Sequence, residues 1–177
     1  FRQEIAAGAN ALDGFHSQAL GIHLQAPDSA AHHPVHLIVQ HILLVGYRHP
    51  RLQEAGGIIF DDASGWNYGR NGDPFDPQVT FEREVDYVSG ASLLVRGDFL
   101  RARGGFDVRF APAYYEDTDL CFAARAAGGE VWYQPASIVV HFEGKSHGTD
   151  EGSGIKAYQV TNRLKFQRRW AAALENQ

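Results

Sequence analysis

The order of apolar and polar segments predicts an α/β fold. Three observations carry this. From residue 51 onward, short apolar runs of strand character alternate with segments of helical character. Glycine pairs, Gly104-Gly105 and Gly128-Gly129, stand where those helical segments must stop. The composition, 44% hydrophobic and 21% charged over 177 residues, is that of an ordinary globular domain or most of one.

Taken in order, Ala6 to Leu24 reads as a weak helix interrupted by Gly8, Gly14 and Gly21. Val35 to Val45 is apolar enough for burial, and periodicity alone does not separate helix from strand there. Ile58-Ile59-Phe60 follows a glycine pair and reads as a strand. Asp61 to Gln78 reads as one long polar loop carrying Trp66 and Tyr68, and loops of that length tend to be functional. Val85 to Val95 reads as strand, small-residue turn at Ser89-Gly90-Ala91, then strand again. Asp98 is placed to cap a short helix, Phe99 to Arg103. Glu116 or Asp117 is placed to cap the next, which runs to Ala127. Val131-Trp132-Tyr133 and Ser137 to Val140 read as two strands split by Pro135. Ile155 to Leu174 reads as an amphipathic helix with an apolar stripe at Ile155, Tyr158, Leu164 and Trp170.

Composition also bounds function. A net charge of -5 gives no field that favours a nucleic-acid backbone. The single cysteine, Cys121, rules out an internal disulfide and fits a reducing compartment. No apolar run approaches the roughly 20 residues of a membrane span. A chain without methionine that starts Phe1-Arg2-Gln3-Glu4 is expected to be part of a longer protein.

The residues that suit chemistry lie mostly between Phe106 and His147. Glu116-Asp117 sits at a helix entrance, where the backbone is anchored and the dipole favours an anion. A general base needs that placement, although from pattern alone simple capping is the stronger reading. His141 follows an apolar run and could offer an imidazole at a strand end, to a metal or to a hydrogen bond. Lys145 and Ser146, in a glycine-containing loop with His147, suit a phosphate but lack the spacing of a P-loop. Trp66 and Tyr68 could stack on a sugar or staple their loop. Seven of the nine histidines fall in the first fifty residues, but Pro34 between His32, His33 and His36 argues against a helical metal pair. Lys156, Arg163, Lys165, Arg168 and Arg169 form a basic stretch that could face solvent, an anionic lipid or a pyrophosphate.

Several short segments together resemble family 2 glycosyltransferases of the GT-A fold, and the bacterial O-antigen and rhamnosyltransferase-like enzymes most of all. They are Val85-Asp86-Tyr87-Val88-Ser89-Gly90-Ala91, Leu94-Val95-Arg96, Gly104-Gly105-Phe106-Asp107, Tyr115-Glu116-Asp117-Thr118-Asp119-Leu120-Cys121 and His141-Phe142-Glu143-Gly144. The resemblance runs from about Arg51 to Trp170. It implies a Rossmann-related mixed sheet with flanking helices. It implies residues 1–50 as a divergent or truncated N-terminal segment and 51–177 as the acceptor-side, catalytic region. It implies inverting transfer from a nucleotide-sugar to a saccharide or lipid-linked saccharide in surface polysaccharide assembly. Asp117 would be the catalytic base, and Glu116, Ser89, Gly90, Ala91 and Trp66 would contact the acceptor. His141 would bind a divalent metal, Mn²⁺ or Mg²⁺, and Lys145 and Ser146 the donor phosphates. The setting implied is cytoplasmic, at the inner face of a membrane. The family's metal-binding Asp-x-Asp does not occur before residue 50, so donor binding by this segment alone is expected to be weak. The alternative reading is a non-catalytic carbohydrate-binding or interaction module built on the same fold.

Overall fold

The computed structural model describes residues 36–44, as backbone alone, and residues 50–141 and 157–175. The chain is mixed α/β, as expected, with the GT-A-like arrangement of a mixed sheet flanked by helices.

The central strand is β1, His36–Leu44. It pairs in parallel along its length with β7, Glu130–His141. On its other side it pairs antiparallel with two short strands. These are β2, Arg51–Glu54, opposite Ile42 to Leu44, and β6, Leu93–Val95, opposite Leu37 to Val39. Strand β5, Arg83–Glu84, completes the sheet beyond β7. A separate hairpin is built from β3, Gly57–Ile59, and β4, Gly65–Asn67.

Helix α1, Gly97–Arg103, and helix α2, Glu116–Ala126, end as their glycine pairs predict. After α2, Gly128 takes φ +78° and donates to the Arg125 carbonyl at 2.9 Å, while Gly129 donates to that of Ala124 at 2.9 Å. This closes the last turn as a Schellman motif, for which an unsubstituted Cα is favoured. Helix α2 buries Leu120, Cys121, Phe122 and Ala124. The Phe122 ring packs edge-on against Phe166 of helix α3, Tyr158–Arg169, at 4.9 Å, and next to Trp170 at 5.6 Å. A short helix α4, Ala171–Leu174, follows.

Several sequence expectations are corrected. The segment 61–78 is not one loop. It contains β4 and a 3₁₀ turn at Pro77–Val79, because the hairpin pairing to β3 outweighs the local glycines. The strand expected from Val85 is displaced to Arg83–Glu84, since Asp86 and Tyr87 turn away to meet the hairpin at Gly57. Helix α1 starts at Gly97. Asp98 lies in its first turn, accepting from the Phe99 N–H at 2.8 Å. Glu116 and Asp117 likewise do not cap α2; its N-cap is Tyr115. Pro135 does not split β7, because it falls in a register shift between Gln134 and Ile138, where no ladder donor is required. The last helix breaks at Trp170, and its buried face is Asn162, Phe166 and Leu174. Tyr158 and Leu164 of the expected stripe are exposed, and Ile155 lies outside the described residues. Asn162 wins the interior position because its amide donates to the carbonyls of Phe110, Ala113 and Tyr114.

The hairpin is docked through Gly57, whose N–H donates to the Tyr87 carbonyl at 2.9 Å. A Cβ there would lie 2.0 Å from the Tyr87 ring. Gly57→Ala is therefore expected to destabilise the protein by about 1–3 kcal/mol through displaced packing, measured by denaturant unfolding.

Candidate functional site

A continuous chain of contacts links the ends of four elements. Asp117, in the first turn of α2, accepts from the Gly90 N–H at 2.8 Å and from the Thr118 N–H at 2.7 Å. Next to Gly90, the Ser89 N–H donates to Glu54 Oε1 at 2.9 Å. Next to Glu54, Gln53 Oε1 accepts from His141 Nδ1 at 2.7 Å. The structure thus brings Glu116-Asp117 to the Ser89-Gly90-Ala91 turn, which the sequence places far apart, and ties His141 to the end of β2. The link between the two runs through Gln53-Glu54, which sequence reasoning missed.

Local structure explains how neighbouring Gln53 and Glu54 both serve this purpose. In a regular strand they would face opposite ways. Here β1 pairs Ile42 with Glu54 and Leu43 with Leu52, leaving Gln53 as the extra residue of a β-bulge. Bulges re-aim side chains in this way. Both residues are buried, with Glu54 fully so. The available signal was slight: Arg51-Leu52-Gln53-Glu54 holds three polar residues around one leucine, shortly before Gly56-Gly57.

The entrance to α2 is strained. Tyr114 and Tyr115 have φ of +72° and +73°, a region costly for aromatic residues. The surroundings impose it. Asn162 donates to the Tyr114 carbonyl at 3.0 Å, the Tyr115 hydroxyl donates to the Ala63 carbonyl at 2.8 Å, and the Tyr115 ring packs on Phe166 at 5.4 Å. Strain held at the mouth of a helix fixes where Glu116 and Asp117 point.

Burial decides the electrostatics. Desolvation pushes Glu54 from its ordinary 4.5 up to about 8, and Glu116 likewise to about 8. Asp117 is also raised by burial. Each carboxylate further disfavours the charge of its neighbour. Hydrogen bonds oppose this at each group. Asp117 accepts from two backbone N–H groups and Glu54 from one, and backbone donors of Tyr114 and Glu116 lower Glu116, whose Oε2 has no hydrogen-bond partner among the described residues. Such bonds favour the charged form, and in all three burial outweighs them.

These raised values set a pH dependence. A carboxyl favoured as the neutral acid by the fold stabilises the native state fully below its unfolded value, near 4.5. That contribution is lost as pH rises through about 8. Asp62, Asp98 and Asp107 are lowered instead, so their contribution changes only at lower pH. Thermal stability is therefore expected to fall between about pH 5 and 8, and Glu54→Gln to flatten the slope, as scanning calorimetry at a series of pH values would show.

Asp119 faces elsewhere, although it completes an Asp-x-Asp spelling with Asp117. It is fully buried and paired with Arg103. It also accepts from Trp170 Nε1 at 2.8 Å and is paired with Arg169 Nε at 3.1 Å. Arg163, Lys165 and Arg169 of the basic stretch are drawn into the fold in the same way, whereas Arg168 is exposed and Lys156 lies outside the described residues. Arg169 also bonds Asp107 at 2.7 Å, Lys165 donates to the Arg109 carbonyl at 2.8 Å, and Arg163 lies 3.8 Å from Asp62.

The other expected site residues are placed as follows. Ser89, Gly90 and Ala91 form the turn that carries the two donors, with Gly90 and Ala91 exposed. Trp66 stands on β4 opposite Ile58, its surface 57% exposed. His141 ends β7, with Nδ1 2.7 Å from Gln53 Oε1. Among the described residues, no group of three His, Cys, Asp or Glu side chains could hold a metal ion. The described residues do not by themselves make a metal centre. Lys145, Ser146 and His147 lie outside the described residues, as do the histidines before His36. Also among the described residues, no helix is long and apolar enough to cross a membrane.

No family model matches the chain. It is similar to an N-acetylglucosaminyl-diphospho-decaprenol L-rhamnosyltransferase of Mycobacterium tuberculosis, at 39% identity over 77 residues. That match covers 44% of this chain and 25% of the relative. It is also similar to a pre-mycofactocin glycosyltransferase of the same organism, at 37% identity over 57 residues. There the match covers 32% of this chain and 12% of the relative. The matched segment is thus glycosyltransferase-like, and it spans about a quarter of the length of the first of these relatives.

Proposed function

We propose that this chain supplies the acceptor-side, catalytic part of an inverting family 2 glycosyltransferase. The observation that carries the reading is the carboxyl cluster at the Ser89-Gly90 turn. Asp117 is fixed by two backbone N–H groups at an exposed turn of small residues, with the half-buried Glu116 and the buried Glu54 beside it. A carboxylate held at an exposed turn of small residues suits a ligand bringing hydroxyl donors, as a saccharide does.

In this reading an acceptor hydroxyl gives its proton to the Asp117 carboxylate. Its oxygen forms a bond to the donor's anomeric carbon from the face opposite the leaving group. The bond from that carbon to the diphosphate breaks, and the nucleoside diphosphate leaves with the electron pair, so the configuration inverts. A base whose affinity for protons is raised by burial takes up the proton more readily near neutral pH. Glu116 binds and orients the acceptor. The small residues of the 89–91 turn leave room for the sugars, and Trp66 gives an exposed ring for stacking. Lys145 and Ser146 are proposed for the donor phosphates. His141 is proposed as a metal ligand only together with groups outside the described residues.

The acceptor proposed is a saccharide on a lipid diphosphate, in bacterial surface polysaccharide assembly at the inner face of a membrane. The name of the rhamnosyltransferase relative supports that choice of acceptor class. The reading is tested by incubating the full chain with nucleotide-sugars and lipid-diphosphate saccharides and following product by mass spectrometry. Transfer with inverted anomeric configuration supports it. Saccharide binding without transfer would favour a non-catalytic carbohydrate-binding module instead.

A further inference from the structure

We propose that Glu54 is a positioning residue for this site: its buried carboxyl holds the Ser89 N–H and thereby sets the Gly90 N–H on Asp117. The proposal rests on the reading of Asp117 as the base, but its geometry stands independently. Glu54 is fully buried at the end of β2, Oε1 accepts from Ser89 at 2.9 Å, and Oε2 has no partner among the described residues. A buried charge left in that state is costly, and a protein avoids the cost by keeping the group neutral. As a neutral acid, Glu54 still accepts from Ser89 and adds no negative charge beside Asp117.

The arrangement has a mechanical logic. Ser89 and Gly90 are consecutive, so only the φ and ψ of Ser89 separate their amides, and holding one narrows where the other can point. Gly90 and Ala91 are exposed, and this turn would be mobile if nothing underneath restrained it. The restraint comes from below, at the β2 bulge, and not from α2 alone. The charged and titratable groups around Glu54 are Asp117 and Cys121 of α2, Tyr87 ahead of the turn, and Arg70 after β4. Of these, Asp117 disfavours the Glu54 anion and Arg70 favours it, both less than burial does.

The test compares Glu54→Gln with Glu54→Ala in the full chain. Gln keeps an acceptor for Ser89 and carries no charge, while Ala removes the acceptor. With Gln, transfer and the pH at which Asp117 titrates should stay close to wild type. With Ala, kcat should fall roughly 10- to 100-fold with KM little changed. Wild-type kcat in Glu54→Ala would overturn the proposal, as would Glu54→Gln being as impaired as the Ala variant. A second readout needs no substrate: the amide shifts of Ser89 and Gly90 by nuclear magnetic resonance, with the carboxyl carbon of Asp117 followed over pH. Gln should leave these near wild type. If Gln moves the Asp117 midpoint downward, Glu54 was charged and the proposal fails. Because the resonance readout is independent of sugar transfer, a chain inactive toward every donor would count against the glycosyltransferase reading while leaving the Glu54 test decisive.

Discussion

Replacing Asp117 by Asn is expected to lower sugar transfer by roughly 10²- to 10⁴-fold in kcat, the range that a positioned general base contributes. Stability should not fall with it. Asn retains an oxygen for the Gly90 N–H and removes a negative charge from beside Glu54 and Glu116, which the fold pushes toward their neutral forms. The loss of the acceptor for the Thr118 N–H opposes this gain. The two effects nearly cancel, so the melting temperature should stay close to wild type. Single-turnover transfer and thermal denaturation on the same preparation check both halves. Near-wild-type turnover in Asp117→Asn would sink the assignment of the base.

Two residues further along, Asp119→Ala is expected to behave in the opposite way. It should destabilise the protein by about 3 kcal/mol, the lower end for breaking a buried ion pair, because Arg103 and Arg169 keep partial access to water. For a chain of this size that corresponds to a melting temperature lower by roughly 6–12 °C. The effect should fall on the packing of α2 against the segment from α3 to Trp170, since Asp119 holds Trp170 Nε1 as well as both guanidinium groups. Transfer measured well below the melting temperature should change much less than in Asp117→Asn. A variant as stable as wild type would show that the network around Asp119 contributes nothing net. The contrast separates a reacting carboxylate from a structural one within a single Asp-Thr-Asp sequence.

Much of the element order was legible because glycine pairs and apolar runs are local signals. The stops at Gly104 and Gly128 depend on backbone conformations that glycine alone adopts cheaply, so they read directly from the residues. Boundaries failed where pairing partners decided them. Arg83–Glu84 is a strand because Tyr133 and Trp132 of β7 stand beside it, and Trp66 lies in a strand because Ile58 faces it. Asn162 inside a helix face contradicts any hydrophobic stripe, and only the three carbonyls it meets explain its burial.

The sequence by itself determined the α/β class, the helix stops and the acid pair at the start of α2, because each rests on residues near one another in the chain. The tertiary structure decided what those acids are for. Asp117 and Asp119 are chemically identical and two positions apart. One meets two backbone N–H groups beside two other carboxyls, and the other meets two arginines and an indole. Glu54 acquires its place in the site only through a bulge against β1 and a bond to a turn 35 residues away. The physical reason is that a carboxyl's charge state depends on desolvation and on its nearest donors, and both are supplied by parts of the chain that folding brings together.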